Sequence, residues 1–388
     1  MENLLDKIVI PAAFQLSLDD VGWHDGRDLR TLNQPSRSGL PRNHHPLDYK
    51  MLAELGRALD MKIVCPLCLG DWDKDNFLRG QVGVTHKPHT WDRASEIDLE
   101  YAMECFEALE SAEYIEYGLH GLMHGRYTED GKLVWEKEYF TPKDESLKTA
   151  YLDPDDFRNR LDLFFKIYNS WGFSQKIRTF VAPCGMGKTT LDMMEEMAKI
   201  LEPLGIKYWT NGTLPYTGIL KTFGGIASIR EVSGDVPWDA YDFDPKYLKV
   251  FGSESNPISS GLFGVHWTNF LHYNPENNLD RIDAWVDFFR RQSEVFGAML
   301  AKDTAFSMNQ QFYALFSKIE LEDNKCTIDL SEVQRQKNVK GNDTFFISFK
   351  NGIVPSSVEG GTIEVYETHN EFVNYKICHS SDKVTISF

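Results

Sequence analysis

Phe14-Gln15-Leu16-Ser17-Leu18-Asp19-Asp20 reads as a buried β-strand that carries two neighbouring carboxylates out at its C-terminal end. Further along, Tyr117-Gly118-Leu119-His120-Gly121-Leu122-Met123-His124-Gly125 reads as a second strand, over 114–119, that ends in His-x-x-x-His. An Asp-Asp pair and two such histidines can supply one hard oxygen and two imidazole ligands to a zinc-type ion, with one carboxylate left over as a base. Three protein ligands and an open position is the arrangement of a hydrolytic metal site rather than a structural one. If strand geometry persists, Asp19 and Asp20 diverge, and they can take different tasks. His120 and His124, four apart, face the same way if they share one helical turn.

Outward from these two strands, the first three hundred residues alternate strand-like and helix-like segments. Pro46 stands where a helix begins, and Leu47, Met51, Leu52, Leu55 and Leu59 recur at helical spacing. Residues 61–68 form a short apolar run, as expected of a strand buried on both faces. Helices are expected over 97–109, 153–169, 191–201 and 278–300, and strands over 176–182, 206–210 and 261–266. Regular alternation of this kind predicts a parallel sheet covered by helices and closed as a β/α barrel, occupying residues 1–317. From 318 to 388 the helical period disappears. Short alternating runs at 318–330, 343–350, 361–366, 371–378 and 383–388 predict a small C-terminal antiparallel β domain. It carries no ligand spacing, so no catalytic part is expected of it.

The composition agrees with a soluble enzyme. The chain has 41 basic against 58 acidic residues, a formal charge of −17, which argues against a nucleic-acid or anionic-membrane surface. No apolar stretch approaches the roughly 20 residues of a transmembrane helix. Met1-Glu2-Asn3-Leu4-Leu5-Asp6-Lys7 lacks the basic and then apolar layout of a signal peptide, so a cytoplasmic protein is expected. The six cysteines are scattered. Cys65-Pro66-Leu67-Cys68 is the one suggestive pair, but no second Cys-x-x-Cys completes a zinc site, and two buried thiols at a strand end are expected instead. The loop 22–45 leaves the strand end that bears the aspartates. It holds Arg27, Arg30, Arg37, Arg42, His44 and His45, a candidate set of substrate contacts.

A third strand ends in Gly264-Val265-His266-Trp267. Strand ends bearing Asp-Asp, His-x-x-x-His and a lone His, in that order, resemble the polysaccharide deacetylase superfamily, the NodB-homology enzymes or carbohydrate esterase family four. Ser17-Leu18-Asp19-Asp20-Val21-Gly22 is similar to the family's Thr-Phe-Asp-Asp-Gly motif, and Phe180-Val181-Ala182-Pro183-Cys184-Gly185 to its Arg-Pro-Pro-Tyr-Gly loop. The likeness spans about residues 8 to 300 and implies a distorted β/α barrel. It implies that Asp19 is the catalytic base and that Asp20, His120 and His124 are the metal ligands. It further implies that His266 is the general acid and that the backbone N–H of Cys184 is an oxyanion donor. The implied activity is metal-dependent removal of an acyl group, N-acetyl above all, from a carbohydrate or related amide. A divalent cation is implied as cofactor, Zn²⁺ first, and a small molecule or oligosaccharide as substrate. Two departures mark the chain as divergent. Val181 stands where the family has arginine, with Arg178 or a loop arginine as substitutes, and Cys184 stands where it has an aromatic residue.

Other readings stay open. Ala182-Pro183-Cys184-Gly185-Met186-Gly187-Lys188-Thr189 fits a relaxed phosphate loop, although its first glycine is missing and Pro183 removes an N–H donor. A retaining glycosidase using Asp19 or Asp20 without metal is another, and a degenerate sugar-binding member of the same fold a third.

Overall fold

The computed structural model describes residues 7–22, 38–143, 150–185, 189–211, 220–233, 236–248, 261–322, 324–336 and 343–388. Seven strands succeed one another as β1 (Ala12–Asp19), β2 (Ile63–Cys68), β3 (Ile115–Gly121), β4 (Thr179–Val181), β5 (Tyr208–Asn211), β6 (Ile226–Ser233) and β7 (Leu262–His266). Each pairs in parallel with the next, and β7 pairs in parallel with β1, so the ring closes in chain order. The fold is α/β, a parallel barrel wrapped by helices. It is distorted at β6, whose first half pairs antiparallel with the short strand Leu220–Phe223 while only its last three residues meet β7. Both faces of these strands are covered, which is why β2 is apolar at every position and buried throughout.

The helices are α1 (Pro46–Leu59), α2 (Leu99–Glu110), α3 (Pro154–Trp171), α4 (Leu191–Leu201), α5 (Ile282–Ser293) and α6 (Thr304–Phe316). Local chemistry sets their ends. Asp153 accepts the N–H groups of Asp155 and Asp156 ahead of Pro154, and Gly172 at φ +81° closes α3. The helix expected over 278–300 is shorter. A 3₁₀ turn, Pro275–Arg281, precedes α5, and Gly297 at φ +96° ends any continuation. Ala298–Leu300 then becomes a strand beside the start of β1. Cys65 and Cys68 lie buried and unbridged in β2, as expected.

The C-terminal residues form two four-stranded antiparallel sheets. One contains Thr344–Lys350, Phe372–His379 and Gly361–Thr368, and its edge is completed by Ile8–Val9 from the opposite end of the chain. A short helix, Ser331–Gln336, interrupts what was expected to be all strand; its Val333 is buried against the sheets. Helix α6 joins the sheets to the barrel. Ser307 Oγ donates to the carbonyls of Ala13 and Gly261, and Gln310 bonds Pro11 O on one side and Phe346 on the other. Among the described residues no helix is long and apolar enough to cross a membrane.

The described part of loop 22–45 is used for structure. Asp48, fully buried on α1, accepts both ends of the Arg42 guanidinium at 2.7 and 2.8 Å, the His45 N–H at 2.8 Å and Asn278 Nδ2 at 2.7 Å. Arg42 spends its remaining donors on the carbonyls of Asn43, His272 and Tyr273, which corrects its reading as a substrate contact. His44 stacks on Trp267 with centroids 4.1 Å apart. Arg27, Arg30 and Arg37 lie outside the described residues. Burial alone raises the Asp48 pKa, but hydrogen bonds from Arg42 and His44 outweigh it and hold the carboxyl well below the usual range. A depressed folded pKa contributes stability above the unfolded value, about 3.9, and loses it as pH falls toward the folded value. Asp48→Asn is therefore expected to cost about 3 kcal/mol at pH 7, where Arg42 loses its counter-ion, and clearly less at pH 3. Denaturant midpoints of both proteins at the two pH values test this; an equal cost at both would show that the Asp48 charge is not what matters.

Candidate metal centre

Parallel strands in a barrel all present their C-terminal ends at one mouth. There the end of β1 brings Asp20, and the end of β3 brings His120 and His124. One donor atom from each of the three lies within 4.8 Å of the others, and all three residues are buried. His120 Nε2 is 3.3 Å and His124 Nε2 3.7 Å from Asp20 Oδ1. Donors held tetrahedrally at about 2.0–2.2 Å from zinc lie roughly 3.4 Å from one another, so the spacing already suits an ion.

The backbone explains how so short a stretch achieves this. Asp20 at φ +68° and His124 at φ +50° are in the left-handed region, where an L side chain is uncommon. Cys184 joins them at φ +52°. Three of the six non-glycine residues with positive φ among those described thus belong to the expected site, and strain of this kind gathers at functional sites. His120 is the penultimate residue of β3 and His124 lies in the turn beyond it, so the two imidazoles do not share the helical turn expected for them. The turn brings their ring centroids to 5.3 Å all the same.

His120 Nδ1 lies 2.7 Å from the Val181 carbonyl, which can only accept, so Nδ1 carries the proton. In the neutral ring Nε2 is then a bare lone pair directed at a carboxylate oxygen. Neither His120 Nε2 nor Asp20 Oδ1 has a hydrogen-bond partner among the described residues. Two facing lone pairs, buried, call for a cation between them: a proton or a metal ion. The titration of the residues agrees. Burial disfavours the imidazolium of His120, but the adjacent Asp20 carboxylate and the Asp19 charge raise its pKa to about 9. Burial raises Asp20 too, yet the neighbouring imidazoles of His124 and His120 carry it well below the carboxylate range. Burial lowers His124 to about 4, against the pull of Asp20, which keeps it the neutral ligand form.

Asp19 closes β1 and sits opposite His266 in the β1–β7 register. Burial raises its pKa, opposed by the charges of His120 and His266, and Oδ1 has no hydrogen-bond partner among the described residues. His266 is half-buried at the end of β7, its N–H donating to Asn269 Oδ1 at 3.0 Å. Cys184 is exposed, in the turn beyond β4. In that turn Lys137 Nζ bonds the carbonyls of Cys184 and Gly185, and the Gly185 N–H donates to Ala182 O at 2.9 Å. A phosphate loop points N–H groups at its ligand; here carbonyls face a cation, against the nucleotide reading. Met186, Gly187 and Lys188 lie outside the described residues.

Among the described residues, neither Arg178 nor Arg42 substitutes for the missing arginine. Arg178 stands at the start of β4, the opposite end of the barrel, where it lines a cavity of about 460 Å³ with Lys62, Glu116 and Thr304. Arg42 is committed to Asp48. The sequence reading missed the Val181 carbonyl, because backbone acceptors leave no trace in residue identity.

No protein-family model matches the chain, and no curated protein matches its sequence. Solved structures similar to it include a CE4-family pseudoenzyme from Bacillus anthracis, 13% identical with a TM-score of 0.37, over 76% of this chain and 66% of that one. The family 4 carbohydrate esterase from Streptomyces lividans, in complex with acetate, is 10% identical with a TM-score of 0.31, over 75% of this chain and 92% of that one. The 4-alpha-glucanotransferase from Thermococcus litoralis is 12% identical with a TM-score of 0.37, over 75% of this chain and 39% of that one. Likeness at this level carries no argument about activity. The site stands on its own geometry.

Proposed function

We propose that the chain is a metal-dependent hydrolase that removes an acyl group, most readily N-acetyl, from a carbohydrate or related amide. The observation that carries this is the buried convergence of Asp20 Oδ1, His120 Nε2 and His124 beside a second carboxylate. Asp20, His120 and His124 would hold the ion; mixed nitrogen and oxygen donors suit Zn²⁺, and also Co²⁺, Ni²⁺ or Mn²⁺. When bound, such an ion polarises a carbonyl and lowers the pKa of water toward neutrality. The chain's own residues supply the proton transfers. Asp19 Oδ1, buried and without a hydrogen-bond partner among the described residues, takes the proton of the attacking water. The His266 imidazole, beside it on β7, returns a proton to the departing amine. The Cys184 N–H is the proposed donor to the oxyanion.

A second reading, a sugar-binding protein without chemistry, draws on Val181 at the arginine position and on the remoteness of Arg178. Metal analysis and an acetate-release assay on N-acetylated oligosaccharides separate the readings. One equivalent of a transition metal per chain, with acetate released, is the expected outcome. Bound metal without any acetate release favours the binding protein. Protein that takes up none of the four ions when they are supplied rules out the hydrolase.

A further inference from the structure

We infer that Glu138 is a positioning residue for the His120–His124 pair and sets the affinity of the centre for its ion. The inference rests on the metal reading above. Only Gly121, Leu122 and Met123 separate the two imidazoles, and strand pairing stops at Gly121, so the backbone donors of this stretch need partners elsewhere. Glu138 provides them. The Leu122 N–H lies 2.9 and 3.1 Å from its two carboxylate oxygens, and the Met123 N–H lies 3.1 Å from Oε2. The carbonyls of the same stretch are bonded as well. Gly121 O accepts the Leu69 N–H at 3.0 Å, Leu122 O the Gly70 N–H at 2.7 Å, and Met123 O the Tyr127 hydroxyl at 3.1 Å. One carboxylate thus gathers the donors of the link between the two ligands, through the charge-assisted bonds that are strongest away from water.

Glu138 is held as firmly as the turn it holds. Its side chain has no solvent exposure, and Tyr139 and Phe140 beside it are buried, Tyr139 with its ring 5.2 Å from both Phe157 and Phe180. The buried Arg160 guanidinium lies 3.9 Å from the carboxylate and is fixed by Asp156 at 3.0 Å and by Gly83 O at 2.8 Å. Arg126 bonds Asp156 at 2.6 Å and the Glu138 carbonyl at 3.2 Å. Two acids and two arginines balance, which is how a buried carboxylate is kept in place. Gly121 completes the fit: a Cβ there would lie 2.5 Å from Glu138 Oε2. Outer groups that orient metal ligands typically govern affinity by 10–100-fold.

The test measures Zn²⁺ affinity of the full chain by chelator competition, alongside the thermal midpoint of the metal-free protein. Glu138→Gln, which turns an amide NH₂ toward an N–H donor, is expected to weaken Zn²⁺ binding by roughly 10–100-fold. Gly121→Ala keeps Glu138 but displaces its carboxylate, and is expected to weaken binding in the same direction. It serves alone if Glu138→Gln does not fold. Phe345→Ala, in the C-terminal sheets, lowers stability without touching the turn and is expected to bind Zn²⁺ as the wild type does. Wild-type affinity in folded Glu138→Gln or Gly121→Ala overturns the inference and leaves the metal reading standing. Equal weakening in Phe345→Ala overturns it too, since general loosening would then suffice. A wild-type chain that binds no Zn²⁺ overturns both.

Discussion

Asp20→Asn is expected to bind no ion and to hydrolyse nothing, with its fold unchanged. Asparagine keeps the volume of the side chain and tolerates the left-handed backbone at φ +68°, whereas alanine there would add about 1–2 kcal/mol of backbone strain. The substitution therefore isolates the charge. Without it His120 and His124 remain as two neutral imidazoles, and the only anionic ligand is gone. Losing a ligand should exceed the roughly 10–100-fold in affinity that an outer-shell change costs. The measurement is metal content after equilibration with Zn²⁺, with circular dichroism as the control for fold. A full equivalent of Zn²⁺ in Asp20→Asn would show that the three residues do not share an ion.

Asp19→Asn and His266→Ala form the second large effect. Both should keep the metal, since neither is among the three converging ligands, and each should lower kcat by roughly 10²–10⁴-fold. Their signatures differ in pH. Asp19 acts as a base only when deprotonated, so the acidic limb of the rate profile should vanish in Asp19→Asn. His266 acts as an acid only when protonated, so His266→Ala should remove the alkaline limb. Groups that serve one proton transfer lose their effects non-additively, and the double variant should be little slower than the worse single one. Normal kcat and an unchanged profile in His266→Ala would make it a structural residue, with the proton donor still to be found.

Much of the barrel could be read from residue types alone. β2 buries both faces and is apolar at each position; α1 places Leu52, Leu55 and Leu59 at the spacing of one buried face. Burial imposes such periodicity locally, so local sequence reveals it. The same holds for the proposed ligands. Asp20, His120 and His124 are the residue types a hard or borderline cation needs, and their place at strand ends followed from the apolar runs before them.

Local sequence was silent where partners come from far along the chain. The seven barrel strands pair in parallel, yet Leu220–Phe223 adds an antiparallel strand to β6, and α5 stops at Ser293 so that Ala298–Leu300 returns to the barrel wall. Ile8–Val9 stands just before β1 in the chain but pairs with Ser348 and Phe349 of the C-terminal sheet. Arg42 looked free for a substrate and is consumed by Asp48 and two distant carbonyls. The sequence by itself thus determined the alternation of strand and helix and the donor types at three strand ends, because burial period and side-chain chemistry belong to single residues. Only the tertiary structure decided how those donors meet: through left-handed turns at Asp20 and His124, a Val181 carbonyl that sets the His120 tautomer, and a Glu138 carboxylate holding the turn between the histidines. Each of these is a relation between distant segments of backbone, and a backbone amide or carbonyl is the same atom whatever the residue that carries it.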